Sequence, residues 1–514
     1  MSKSFRVSVV FAGLVALVLG VSQVAFAGGI VTQAQEQASG SSKAGSQTKS
    51  SKKKKKKKAA TTTFVVLGTY PSYPSQAPAA QPITVTTVTA PDSGLVPVAS
   101  QPAESVSRRT LTSSRVPGGV SGGPVTPPEE SPVTAGELVI SEFRVRGPNG
   151  ANDEFIEIAN ISGADHTVAG GGTGYAVAAS NGVARCVIPN GTVIPNRGHY
   201  LCVNSVGYSL ATYPAGNGTT ATGDATYTTD IPDNAGIAIF NTSVAANFTL
   251  ANRLDAVGST SEANTLYKEG TGYPALTPFS IDYSFYRDNC GKSGSITTFG
   301  PCPISTPKDT NNNAADFIFV DTNGTSAGAG QRLGAPGPEN LSSPIQRNAS
   351  FTEIVLDPCV APASPPNRVR DFTSNPAQNS TFGTLDIRRT FVNNTGGNVT
   401  RLRFRVIDLT TFPAPSGIAD LRPRTSTAVV VTVDRPPCGS GTSNVTVQGT
   451  TLDVRAPAPT PQQPNGGGFN SSLSAGTITL ATPLPNGGTI DMRWLLGIQQ
   501  TGSFRFFVNV EALP

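Results

Sequence analysis

The chain has 514 residues, 37% of them hydrophobic, with 38 Lys plus Arg against 33 Asp plus Glu. Its formal net charge of +5 misleads, because eleven of the basic residues and a single acid lie in residues 1–58. The remaining chain carries 27 basic and 32 acidic residues, which excludes a whole-chain electrostatic argument for nucleic-acid binding.

The chain opens "MSKSFRVSVVFAGLVALVLGVSQVAFAGG". Lys3 and Arg6 make a basic start, Val9 to Val21 an apolar run, and Ala25-Phe26-Ala27 a small-x-small cleavage signal. Residues 1–27 are therefore expected to be a secretory signal peptide, cleaved after Ala27. No later segment is apolar for long enough to cross a bilayer as a helix. The expected product is secreted or held at the cell surface.

Residues 28–135 are rich in Ser, Thr, Pro, Ala, Gln and Gly. That composition buries too little apolar surface to offset ordering entropy, so a disordered leader is expected. Within it Lys52, Lys53, Lys54, Lys55, Lys56, Lys57 and Lys58 form an unbroken run. Seven adjacent ammonium groups repel one another and stay solvated. They read either as a tether to an anionic polymer or membrane surface, at about 1 kcal/mol per Lys, or as a solubilising run. "TTTFVVLGTYPSYP" (61–74) has the pattern of a short local strand.

From Gly136 the texture changes to short β-type runs separated by Gly, Asn and Pro turns, among them "ELVISEFRV", "EFIEIAN", "GYAVAAS", "HYLCVN", "GIAIF", "RLDAVG" and "DFIFVD". Their lengths and spacing predict a β-sandwich over 136–342 rather than βαβ units. Residues 343–358 read as a linker, and 359–514 as a second sandwich with runs such as "TLDIRRTFVN", "RLRFRVIDL", "IDMRWLLGI" and "SFRFFVNVEAL". In the last run Phe504, Phe506 and Val508 are expected on one face, with Arg505, Phe507 and Asn509 on the other. The fold class is all-β.

Cysteine usage fits an oxidising compartment. The six cysteines fall into three clusters, Cys186 with Cys202, Cys290 with Cys302, and Cys359 with Cys438. Pairing within clusters is the simplest of the fifteen connectivities.

Several segments in order carry a family resemblance. "LVISEFRV" is followed by "DEFIEIANISG", "GYAVAA", "NAGIAIFN" and "RLDAVG", and the region closes with "SFYRDNCG", "DFIFVD" and "RLGAPGPEN". The region resembles the lamin tail domain, an immunoglobulin-like β-sandwich, in its secreted bacterial form. It is long for that family, with insertions around Tyr208–Asp230 and Glu262–Pro278. The resemblance implies an extracellular interaction module without intrinsic catalysis. The C-terminal module resembles no family that we can name.

Four groups of residues are candidate sites. Glu142, Asp153, Glu154 and Glu157 crowd the first hairpin. Strict alternation would put Ile140, Glu142, Arg144 and Arg146 on one face, so cross-strand pairing of the acids with the two arginines is favoured over an acid/base pair. A glycosidase would want stacking aromatics near its carboxylates, and the chain has one Trp, Trp494, in the other module. In "DTNNNAADF", Asp309, Asn311, Asn313 and Asp316 are oxygen donors at near-alternating spacing, a calcium candidate. The positions that an EF-hand would fill with Gly and Glu are Ala314 and Val320. His166 and His199 are the two histidines, too few for a zinc site once the cysteines pair. Arg401, Arg403 and Arg405, beside Arg388 and Arg389, form a stripe that reads as an anion-binding face or as a solvated one paired with Asp386 and Asp408.

The expectation is a non-enzymatic binding or attachment protein without a cofactor, calcium aside. Its partners would be an anionic cell-envelope polymer or extracellular nucleic acid. Its rivals are an extracellular hydrolase or phosphoesterase with an unrecognised site, and a structural envelope or matrix component.

Overall fold

A computed structural model describes residues 136–214, 220–275, 282–290, 307–322, 332–411, 418–453 and 468–514. The signal peptide, the leader with its lysine run, the expected strand at 61–74 and Cys302 lie outside the described residues. The chain divides into Met1–Ala59 and Ala60–Pro514, and every described residue belongs to the second unit.

The architecture is all-β, as the sequence predicts. The first strands are β1 (Leu138–Arg144), β2 (Phe155–Asn160), β3 (His166–Thr167), β4 (Gly174–Ala179), β5 (Ala184–Pro189), β6 (Val193–Ile194) and β7 (His199–Asn204). Next come β8 (Ala225–Tyr227), β9 (Ile237–Phe240), β10 (Arg253–Val257), β11 (Tyr283–Arg287), the single-turn α1 (Asn313–Asp316), β12 (Phe317–Asp321) and β13 (Arg332–Leu333). A seven-stranded sheet runs β13-β12-β11-β1-β2-β7-β8, and a four-stranded one β10-β9-β4-β5. Ile140, Ile158, Val177, Ile239 and Phe285 fill the core between them. The disulfide Cys186–Cys202 joins β5 to β7 and so staples the two sheets. Cys290 is disulfide-bonded as well.

Both sheets are also covered on their outer sides. Phe155, Leu201 and Val203 pack under Leu210 and Tyr213, while Ala178, Ala238 and Phe240 pack under Tyr267 and Phe248. This double cover helps to bury β2 and β4 along their whole length instead of in alternation; β1 is buried along its length as well, with Glu142 and Arg144 taken up by polar partners.

A β-bulge corrects the expected facing of β1. Ile140 pairs with Ile158 but Glu142 with Glu157, so Ser141 and Glu142 together oppose one residue of β2. The extra residue flips the parity of every later position in the strand. Leu138 and Ile140 before the bulge, and Phe143 and Val145 after it, all reach the core. Arg144 is thereby parted from Ile140, with which strict alternation grouped it.

The second sandwich comprises β14 (Ile345–Gln346), β15 (Phe351–Val355), β16 (Arg368–Asp371), β17 (Thr384–Asn393), β18 (Arg401–Leu409) and β19 (Asp420–Arg424). It continues with β20 (Val429–Asp434), β21 (Thr442–Val447), β22 (Thr451–Leu452), β23 (Ser472–Ser474), β24 (Thr489–Gln500) and β25 (Phe506–Leu513). One sheet runs β14-β25-β18-β23-β22, the other β15-β17-β24-β19 with β16 also on β17, and β20 and β21 form a separate hairpin. Trp494 is fully buried and meets Phe391, Phe404 and Phe506 edge-on, a geometry that aromatic quadrupoles favour. Phe504, Phe506 and Val508 face this core, as their alternation predicts.

The stretch read as a linker belongs to this sandwich. Ile345 and Gln346 pair with β25, and Phe351 to Val355 pair with β17. The chain thus crosses from an edge of one sheet to an edge of the other, and main-chain pairing holds what its loop-like composition suggested was free. Cys359–Cys438 then fastens the segment after β15 to the turn of the β20–β21 hairpin.

Candidate functional site

The carboxylates of the first hairpin separate into two groups. Arg144, fully buried, pairs with Asp153 and with Asp282 at 2.8 Å, and lies over the Phe155 ring. Arg146 makes a two-pronged pair with Asp233, both contacts at 3.0 Å. Glu154 accepts from Asn204 Nδ2 at 2.8 Å and Ile231 N at 2.7 Å, and burial pushes its carboxyl up to about 8. Only Asp153 realises the expected pairing with Arg144 across the hairpin.

Glu142 and Glu157 do not meet those arginines; the bulge turns Glu142 out of the core, and both carboxylates are held by the segment 337–339 and, for Glu142, by Asn470 of the second sandwich. Glu142 accepts from Gly337 N at 3.0 Å and from Asn470 Nδ2 at 2.8 Å. Glu157 accepts from Ser141 Oγ at 2.5 Å and from Glu339 N at 2.6 Å. Two carboxylates set opposite one another in a sheet repel. Burial, and for Glu157 also the neighbouring Glu142, raises both above the ordinary carboxylate range.

The arginine stripe comes to the same place from the other side. Arg403 and Arg405 of β18 are buried. Both pair with Glu511 of β25 and with Glu339 of the segment between the sandwiches. Their guanidiniums are therefore not a face open to glycan or nucleic acid, nor are they paired with Asp386 and Asp408. Those two acids serve Arg388, Arg493 and Arg505 instead. Arg401 is less buried and reaches Ser342 O at 3.5 Å. The Pro-Gly-x-x-Asn segment is built for this junction. A Cβ on Gly337 would come within 2.2 Å of Arg405 Nη1, and Asn340 clamps Thr220 O and Thr222 O through its amide.

A cleft opens at this junction, lined among others by Ser141, Glu157, Asn160, His199, Glu339 and Arg405. His199 Nδ1 stands 3.4 Å from Glu339 Oε2 and its Nε2 3.8 Å from Glu157 Oε1. Burial, with Arg405 and Arg403 adding to it, lowers the imidazole to about 3, so it stays neutral at ordinary pH. Ser, His and Glu thus meet, but the hydroxyl donates to the carboxylate and no hydrogen bond joins it to the imidazole. The base does not touch the nucleophile, which is the contact that nucleophilic catalysis needs. Glu157, His199 and Glu339 could also hold a metal ion. However, His199 Nδ1, Arg403 Nη1 and Arg405 Nη2 are among the junction atoms left without a hydrogen bond, and two guanidiniums already serve Glu339.

The structure breaks up the expected calcium array. The Asn313 amide is spent inside the fold, accepting from Gly258 N and Glu269 N and donating to Ala256 O. Asp316 caps its own loop through Thr310 N and Thr310 Oγ1. Asn311 takes a left-handed turn at φ 54°, and Asp309 faces the Arg287 guanidinium at 3.4 Å. Asp309 and Asp316 accept from their own loop in the manner of Asx turns, so the four side chains do not converge as one array. His166, the other histidine, sits beside the Tyr175 ring on β3.

Sequence reasoning missed Glu339, Asn470 and Glu511 at the junction. Among the described residues no helix is long and apolar enough to cross a membrane, and two disulfides are compatible with an extracellular protein. No family model matches the chain, and neither curated proteins nor solved structures give a match.

Proposed function

We propose that the chain is a secreted or surface-held attachment protein without catalytic activity, a lamin-tail-like sandwich and a second sandwich carried behind a lysine-bearing leader. The observation that carries this reading is the consumption of reactive side chains at the junction. Ser141 is tied to Glu157, and Glu339 and Glu511 to Arg403 and Arg405. A catalytic cleft keeps such groups free for a substrate, whereas here they join two domains. The lamin-tail resemblance supports the same reading, because it implies an interaction module. Contact with the partner then falls to the lysine run, whose affinity for an anionic surface is salt-dependent.

The test compares the intact mature protein with a variant carrying Gln at Lys52 through Lys58. Binding to anionic vesicles and to duplex DNA is measured from about 50 to 200 mM salt. The variant should lose most of the salt-dependent binding. Equal salt slopes would end the tether reading. Chelator-independent hydrolysis of ester, phosphodiester or glycoside substrates, lost in Ser141→Ala or Glu157→Gln, would replace it with the hydrolase reading.

A further inference from the structure

A second cluster, in the first sandwich, leaves buried carboxylate oxygens without donors. Asp255, Glu269 and Asp309 each present a carboxylate oxygen within 4.8 Å of the others. Asp255, on β10, is 1% exposed and Glu269 is 6% exposed. Asp255 Oδ2 accepts from Ile140 N and Arg287 Nη2, each at 2.6 Å, while its Oδ1 has no partner. Glu269 Oε1 meets Arg253 Nη2 at 3.1 Å, while its Oε2 has none. Two buried carboxylate oxygens without donors, in one cluster, are what desolvation penalises most and what a bound cation relieves.

The charges point the same way. Asp255, Glu269, Asp309 and Asp316 face two guanidiniums, those of Arg253 and Arg287. The nearby Lys308 ammonium is engaged at the Ala315 carbonyl, 2.5 Å away. The three converging ligands are all carboxylate oxygens, with no imidazole or thiolate, which selects a hard cation over zinc or copper.

We propose that Asp255, Glu269 and Asp309 form a binding site for a hard divalent cation, calcium foremost. Of the array expected from sequence only Asp309 takes part. The ion would link β10, in the four-stranded sheet, to the loop that leads from β11 toward β12 in the seven-stranded sheet. It would act there as a second inter-sheet staple besides Cys186–Cys202, with water filling its remaining positions.

The mature full-length protein, stripped with chelator, is titrated with calcium by calorimetry, and its thermal unfolding is followed with and without the ion. One saturable site is expected, with a midpoint raised by roughly 5–10 °C at about a hundredfold excess over Kd. Asp309→Asn is the variant least costly to the fold, since that side chain is 17% exposed. It should weaken calcium binding at least about tenfold while leaving the chelator-treated midpoint within a degree or two of the parent. Glu269→Gln should abolish the calcium response. No saturable binding to the parent protein at about 5 mM calcium, or a calcium response in both variants equal to the parent's, overturns the site. Tighter binding of zinc than of calcium or manganese overturns the assigned cation class.

Discussion

Replacing Arg405 by Met removes the cation that serves both sides of the junction. Its Nε donates to Glu511 Oε1 at 3.1 Å. Its Nη1 donates to Gly337 O and Asn470 O at 3.0 Å and to Asn470 Oδ1 at 2.9 Å. Met fills much of the volume, so the loss is electrostatic. Glu142, Glu157, Glu339 and Glu511 would be left with Arg403 alone. Removing one partner of a buried ion network costs about 3–5 kcal/mol, against under about 0.5 kcal/mol for Arg401→Met at the less buried end of the stripe. The readout is denaturant unfolding followed by fluorescence of Trp494, the only tryptophan in the chain and one buried in the second sandwich, beside far-UV circular dichroism. Arg405→Met should lower stability by that amount. Adding Glu339→Gln should restore at least about 1 kcal/mol, because it removes a charge of the opposite sign from the same network. A loss under about 1 kcal/mol for Arg405→Met, or additivity in the double variant, would show that the junction is not held by this network.

Two further outcomes rest on burial and connectivity. Glu154 is held near 8 in the folded state against 4.5 for the free side chain, so the folded protein binds more protons between those values. Its stabilising effect is complete below 4.5 and is lost as pH rises through 8, with Glu142 and Glu157 acting in the same direction. Stability by urea unfolding should therefore fall by a few kcal/mol from about pH 6 to about pH 8.5, and Glu154→Gln should flatten the slope; a parent profile that rises with pH would contradict this. For the disulfides, closing loops of 16 and 79 residues implies about 3 and 4.5 kcal/mol of chain entropy. Paired Cys→Ser changes should thus cost more at Cys359–Cys438 than at Cys186–Cys202, and the reverse order would point to strain or residual structure instead.

The junction was the least legible part of the molecule. Arg403 and Glu511 are 108 positions apart in sequence, and Glu142 and Asn470 are 328 apart, so local charge patterning could only offer nearer partners. The β1 bulge was equally hidden, because it is a property of two strands in register and not of either one. Asp255 carried a readable hint, an acid inside the apolar run "RLDAVG", but its companions Glu269 and Asp309 arrive from separate loops.

What the sequence determined by itself was whatever depends on neighbours within a few residues. That includes the β runs and their turns, the alternation of Phe504, Phe506 and Val508, and the spacing that made Cys186–Cys202 and Cys359–Cys438 the simplest pairs. Only the tertiary structure decided which charges were buried. A one-residue slip in β1 turns Glu142 out of the core, and the pairing of β18 with β23 and β25 sets Arg405 on Gly337 and Asn470, the same residues that donate to Glu142. Charge energetics depend on burial and distance, and both are set by packing between segments that the sequence keeps far apart.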